Sequence, residues 1–211
     1  MFHISRELHC ALAGIEVGAF KTLQQYGRLP VFPTAFKPEK PFGPLETLVL
    51  AIYEVMVEQH RISRSYAASI CSGEGMGILA AHWNEFRETG PPFAAHCARE
   101  ERREAKKDDI LFGRVTFPDL PSRGGGPRHV FGTLKDIVAE MDILKKKIAA
   151  DFNIEHTTPM SIIAISITRV AYLVSNRAMK HEINLDHFWA EPYPGWSAGE
   201  KKSQKKAAAS S

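Results

Sequence analysis

Residues 11–30 read ALAGIEVGAFKTLQQYGRLP, and this stretch decides the fold of the amino-terminal part of the chain. Leu8, Ala11, Leu12 and Ile15 share one apolar side, and Ser5 stands where an N-cap belongs, so Ser5 to Ala13 is predicted to be a short helix. Gly14 breaks it, as a tight turn between helices requires. Val17 to Tyr26 forms a second predicted helix with Val17, Phe20 and Leu23 as its buried stripe, and Gly27 sits in the expected C-terminal position. A helix-turn-helix needs a small residue between its helices, a glycine at the turn, an apolar residue just after it, and a second helix with one buried and one free face. Cys10 or Ala11, Gly14, Ile15 and the Phe20/Leu23 stripe meet these needs. The free face then carries Gly18, Ala19, Lys21, Thr22, Gln24 and Gln25, small and hydrogen-bonding types that can enter a major groove and touch bases or phosphates. No acidic residue lies between Val17 and Leu29.

Downstream, Pro30, Pro33, Pro38, Pro41 and Pro44 exclude a helix over 28–44. Two short extended pieces with a turn at 37–40 are expected, anchored by Phe32, Phe36 and Phe42. Leu45 to His60 is a strong amphipathic pattern with Leu48, Ile52, Val55 and Met56 at helical spacing. A further helix opens at Ser63 and ends near Cys71, and another is expected over 76–88.

On these residues the chain resembles the MerR-like family, which shares its winged-helix core with phage excisionases. The family pattern is a helix, a Gly-plus-aliphatic turn, a recognition helix, and a Gly-Arg-Leu-Pro-type lead into a wing. Here these are Gly14-Ile15 and Gly27-Arg28-Leu29-Pro30, followed by two helices joined by a short turn. The resemblance covers the first third of the chain. It implies sequence-specific binding of double-stranded DNA for transcription regulation, with Arg28, Lys37 and Lys40 of the wing gripping phosphates. The Arg-Tyr-Tyr or Arg-Trp run frequent on the family's recognition helix is replaced by Lys21-Thr22-Leu23. The paired cysteines of its metal sensors are missing, so no metal or other cofactor is expected. Two alternatives accompany this reading: an excisionase-like architectural factor of a mobile element, and a protein-interaction adaptor that kept the winged fold.

Charge gives that reading little help. The chain's net charge is +3, and the tail alone, with Lys201, Lys202, Lys205 and Lys206 against Glu200, accounts for all of it. Nucleic-acid binding therefore rests on where charges sit rather than on how many there are. Cys10, Cys71 and Cys97 show no CxxC spacing, which argues against a disulfide framework or structural zinc. Cys10 reads as a small core residue and His96-Cys97 as a loop thiol. Gly124-Gly125-Gly126 lacks the Gly-Lys-Ser/Thr of a phosphate loop and reads as a hairpin tip. The run from Arg99 to Lys107 reads as a solvated helix face. No acid–base or nucleophile set emerges, so no enzyme is expected. The most apolar stretch, Ile162 to Val174, is short and carries Arg169, which excludes a membrane span. The N-terminus lacks the order of a signal peptide, making a cytoplasmic location the default expectation.

The expected fold class is mainly α: a winged helix-turn-helix over residues 1–73, a helix and charged linker over 74–109, a smaller helical or α+β module over 110–196, and a disordered basic tail over 197–211. Within the third region Ile110 to Phe117 reads as a strand. Val130, Leu134, Ile137, Met141, Leu144 and Ile148 are spaced by four, three, four, three and four, a heptad-like seam that serves either a homodimer or packing within the module. Thr158-Pro159 is expected to start a last helix that runs to about Lys180. The same module is a possible site for a protein partner.

Overall fold

A computed structural model describes residues 4–31, 42–88, 109–117, 128–152 and 161–190, without the side chains of 84–88 and 152. Among these residues the protein is mainly helical, with eight helices and one three-stranded antiparallel sheet. The chain groups into two units, residues 1–98 with 170–211, and residues 99–169. The helix that begins at Ile167 therefore belongs from Val170 onward with the amino-terminal helices.

The helical unit begins with α1 (Arg6–Ala13) and α2 (Val17–Gln25). Ser5 caps α1 by accepting from the Leu8 amide at 3.1 Å. After them comes α3 (Pro44–Glu58), which starts at a proline, where the missing N–H costs nothing. Glu46 fastens this start by accepting from the Gly43 amide at 3.1 Å. Helix α3 is buried almost all round, through Leu45, Leu48, Val49, Leu50, Ile52, Tyr53 and Met56. A helix without a polar face is a core helix, and α1 packs against it. Ser63 caps α4 (Arg64–Cys71), and α5 (Glu74–Glu88) follows.

The second unit holds β1 (Leu111–Thr116), β2 (Arg128–Gly132), α6 (Leu134–Phe152) and β3 (Ser161–Ser166). Strand β1 is central and antiparallel to both neighbours, pairing Gly113 with Val130 on one side and with Ala164 on the other. A Cβ at Gly113 would collide with the carbonyl of Ile163, so this close approach of strands requires glycine. Val115, Phe117, Val130, Ile137 and Ile148 form the core, with Leu111, Met141 and Leu144 packed against it.

Two expectations are corrected here. Val130 is not on the helix of the heptad-like seam. It lies on β2, and the helix starts only after Thr133 and Asp136 cap each other, Thr133 N to Asp136 Oδ2 at 3.0 Å and Asp136 N to Thr133 Oγ1 at 3.3 Å. The seam residues Ile137 and Ile148 are consumed by their own unit, while Leu134 is 65 % exposed. The continuous helix expected from Thr158-Pro159 is also absent at its start, because 161–166 is a strand. The β-branched run Ile162, Ile163 and Ile165 fits a pleated sheet better than a helix. The helix proper, α7 (Ile167–Lys180), starts where Ser166 Oγ accepts from the Arg169 amide at 3.1 Å. Thr158 and Pro159 themselves lie outside the described residues.

From Val170 onward α7 buries Val170, Ala171, Val174 and Ala178. The short α8 (Leu185–Ala190) returns Trp189 to it, whose indole N–H donates to Ser175 Oγ at 2.9 Å. Trp189 also meets Trp83 of α5, with ring centroids 5.8 Å apart. Among the described residues no helix is long and apolar enough to cross a membrane.

Candidate nucleic-acid interface

The turn between α1 and α2 is built on one carbonyl. Cys10 O accepts from the amides of both Gly14, at 2.8 Å, and Ile15, at 3.0 Å. This closure needs a left-handed residue, and Gly14 supplies it with φ +87°. Ile15 is buried immediately after the turn. Glu16 occupies the N-cap of α2 with its side chain making no cap hydrogen bond.

Three rings seat α2 on its neighbours. Phe20 meets the imidazole of His9 edge to face at 5.7 Å and Phe42 at 5.8 Å, and His9 stacks on Phe42 at 4.0 Å. His9 Nδ1 lies 2.9 Å from Thr47 Oγ1. The Thr47 hydroxyl already donates to Gly43 O at 2.9 Å, so it accepts from the imidazole, which fixes the proton on Nδ1. Nε2 is then a bare lone pair, buried and without a partner among the described residues. Burial drives the His9 pKa down to about 3, so the ring is neutral. His9 thus works as a polar core residue that joins α1 to α3 beneath the buried stripe of α2.

With Phe20 and Leu23 turned inward, the predicted free face is outward: Gly18, Ala19, Lys21, Thr22, Gln24 and Gln25 are all exposed. Thr22 differs from the others. Its hydroxyl donates back to Gly18 O at 3.0 Å, leaving an oxygen that can accept and a methyl that can touch a thymine. Arg28 is exposed at the far end of α2, and its guanidinium carbon lies 5.7 Å from the centre of the Tyr26 ring. Lys37 and Lys40 lie outside the described residues, as do Phe32 and Phe36.

The chain leaves α2 along a fixed path. The Arg28 amide donates to Leu23 O at 2.9 Å, and the Arg28 carbonyl accepts from the Tyr53 hydroxyl at 2.9 Å. Arg64 reaches Tyr53 Oη at 3.4 Å, Glu54 at 2.9 Å and Glu58 at 3.1 Å. Three residues on, the Val31 amide donates to Ser72 Oγ at 2.8 Å. The segment re-enters the described residues at Phe42, whose carbonyl accepts from the Ile4 amide at 3.3 Å. Val31 and Phe42, on either side of residues 32–41, are therefore both bonded to the helical unit.

Sequence reasoning missed four contributors. Tyr53 and Arg64 read as helix residues of no special kind, and the bond from the Tyr53 hydroxyl to the Arg28 carbonyl is long-range. Tyr26, 70 % exposed, was placed on the helix but not on its free face. Arg177 has no local signal at all. It sits on α7, yet its Nη1 donates to Leu12 O at 2.9 Å beside the turn.

Among the described residues no group of histidine, cysteine and carboxylate side chains could hold a metal ion. Cys10 and Cys71 are buried, and burial pushes the Cys10 thiol up to about 11, away from reactivity. Cys97 lies outside the described residues. No protein-family model matches the chain, and no curated protein matches it.

Proposed function

We propose that the protein binds double-stranded DNA sequence-specifically and regulates transcription, with α1 and α2 as the helix-turn-helix of a MerR-like winged domain. The observation that carries this reading is the division of α2. Phe20 and Leu23 anchor it, while Gly18, Ala19, Lys21, Thr22, Gln24 and Gln25 stand free with no carboxylate among them. In this reading α2 enters the major groove. Lys21 and Gln25 reach base edges or phosphates, and Gly18 and Ala19 allow close approach. Arg28, Lys37 and Lys40 contact the phosphate backbone beside the groove, which sets register rather than sequence. A homodimer would present two such helices to an inverted repeat. The test is selection of bound sites from random duplex DNA by the full chain. A recovered motif supports the reading, and an unenriched pool refutes it.

A second reading, a protein-interaction adaptor on the same scaffold, draws on Tyr26 and Val31. These two apolar side chains are largely exposed at the end of α2, and Glu16 is exposed at its start. Salt separates the two readings. Duplex binding weakens steeply with salt because phosphate neutralisation releases counterions.

A further inference from the structure

We infer that Arg177 is a positioning residue for DNA recognition, holding the turn between α1 and α2 so that α2 is presented at one fixed angle. The inference rests on the DNA-binding reading above. It starts from the end of α1, where the last carbonyls have no intrahelical partner. Cys10 O is satisfied by the amides of Gly14 and Ile15. Leu12 O is satisfied from elsewhere in the chain, by Arg177 Nη1 at 2.9 Å. A cation at that position also complements the negative end of the α1 dipole.

The contact is close as well as polar. A Cβ on residue 14 would stand 2.5 to 2.7 Å from the guanidinium atoms of Arg177. Gly14 is thus favoured by its left-handed backbone, and any Cβ there would push the flexible guanidinium aside. Helix α7 is a firm base for this side chain, because Val174 and Ala178 are fully buried on either side of Arg177 in sequence and Trp189 bonds Ser175. Helix α2, by contrast, has no side-chain cap of its own at Glu16. Its starting geometry depends on residues 14–16, and the Arg177 guanidinium lies against the first of them, Gly14. Base readout tolerates displacements of only about 0.5 Å, so a loosened turn costs discrimination before it costs general affinity for phosphate.

The experiment uses the full chain, the duplex that wild-type protein selects, and a scrambled duplex of equal length. Arg177→Met removes the donors and keeps the bulk, while Arg177→Lys keeps the charge and one donor. Each variant is assayed well below its melting temperature, with amide hydrogen exchange recorded in parallel. We expect Arg177→Met to lower the ratio of selected to scrambled affinity by about five- to tenfold. Exchange should accelerate in α2 while α3 stays protected, and Arg177→Lys should restore most of both. If Arg177→Met does not fold, Gly14→Ala, which displaces the guanidinium from Leu12, must show the same two changes. An unchanged ratio or unchanged α2 exchange in a folded variant overturns the proposal while leaving the DNA reading intact. Wild-type protein that selects no duplex overturns the DNA reading, and the proposal with it.

Discussion

Arg177 and Leu12 are 165 positions apart and joined by a 2.9 Å hydrogen bond from guanidinium to carbonyl, laid across Gly14. The bond brings a late helix of the chain to the first turn. Gly14→Ala is expected to destabilise the helical unit by about 1–3 kcal/mol, from left-handed strain and the displaced charged hydrogen bond. In an Arg177→Ala background the same substitution should cost less, because only the strain remains. Urea unfolding of the four proteins measures the coupling. Additive costs would mean that the two residues do not interact.

His9 gives the protein a pH dependence of known sign. Its pKa falls from 6.5 unfolded to about 3 folded, so between these values the unfolded state binds the extra proton. The stabilisation of the neutral ring is complete above the unfolded pKa and is lost as pH falls toward the folded value, at about 1.4 kcal/mol per pH unit. His9→Phe keeps the ring contacts with Phe20 and Phe42 and removes the titration. The variant should therefore lose less stability than wild type between neutral and mildly acid pH. Parallel stability curves for the two proteins would refute this account.

Tyr53 ties the chain just after α2 to the core helix through the Arg28 carbonyl. Tyr53→Phe deletes the bond to the Arg28 carbonyl and one partner of Arg64, and is expected to cost about 1 kcal/mol of stability. If Arg28 contacts phosphate, the variant should also weaken the selected and scrambled duplexes alike. Chemical denaturation and a binding titration check the two effects separately.

In the second unit Ile137 and Ile148 of the apolar seam pack into the core, while Leu134 is exposed. Ile137→Ala should destabilise that unit by about 2–4 kcal/mol, as expected for a truncated buried side chain. Gly113→Ala should do comparable damage by forcing β1 and β3 apart at Ile163. Light scattering at matched concentrations reads the oligomeric state of each. An Ile137→Ala protein that stays as stable as wild type but changes from dimer to monomer would return the seam to an interface role.

What the sequence revealed was local. Ser5, Gly14, Ser63, the Phe20/Leu23 stripe and the run of α3 are legible because each rests on spacing or capping within one or two turns. The three-helix start and the exposed face of α2 followed directly. The errors arose where pairing across the chain overrides periodicity. Val130 kept the heptad spacing but was recruited by β1 as a strand partner. Ile162, Ile163 and Ile165 continued an apolar helix pattern, yet their β-branched side chains and the gap at Gly113 made a sheet edge the better place. Arg177, Tyr53 and Arg64 act on the candidate site only through contacts that no local pattern encodes.

The central claim is that the free face of α2 reads DNA sequence, and the most direct measurement is a salt titration of wild-type and Lys21→Ala/Gln25→Ala protein on the selected and scrambled duplexes. The account predicts that wild-type binding weakens linearly in log salt, with a slope of about 0.9 for each phosphate contacted. It also predicts that the double variant, with an unchanged melting curve, binds the selected duplex no better than the scrambled one. Equal discrimination by the two proteins, or wild-type binding that does not respond to salt, would contradict it.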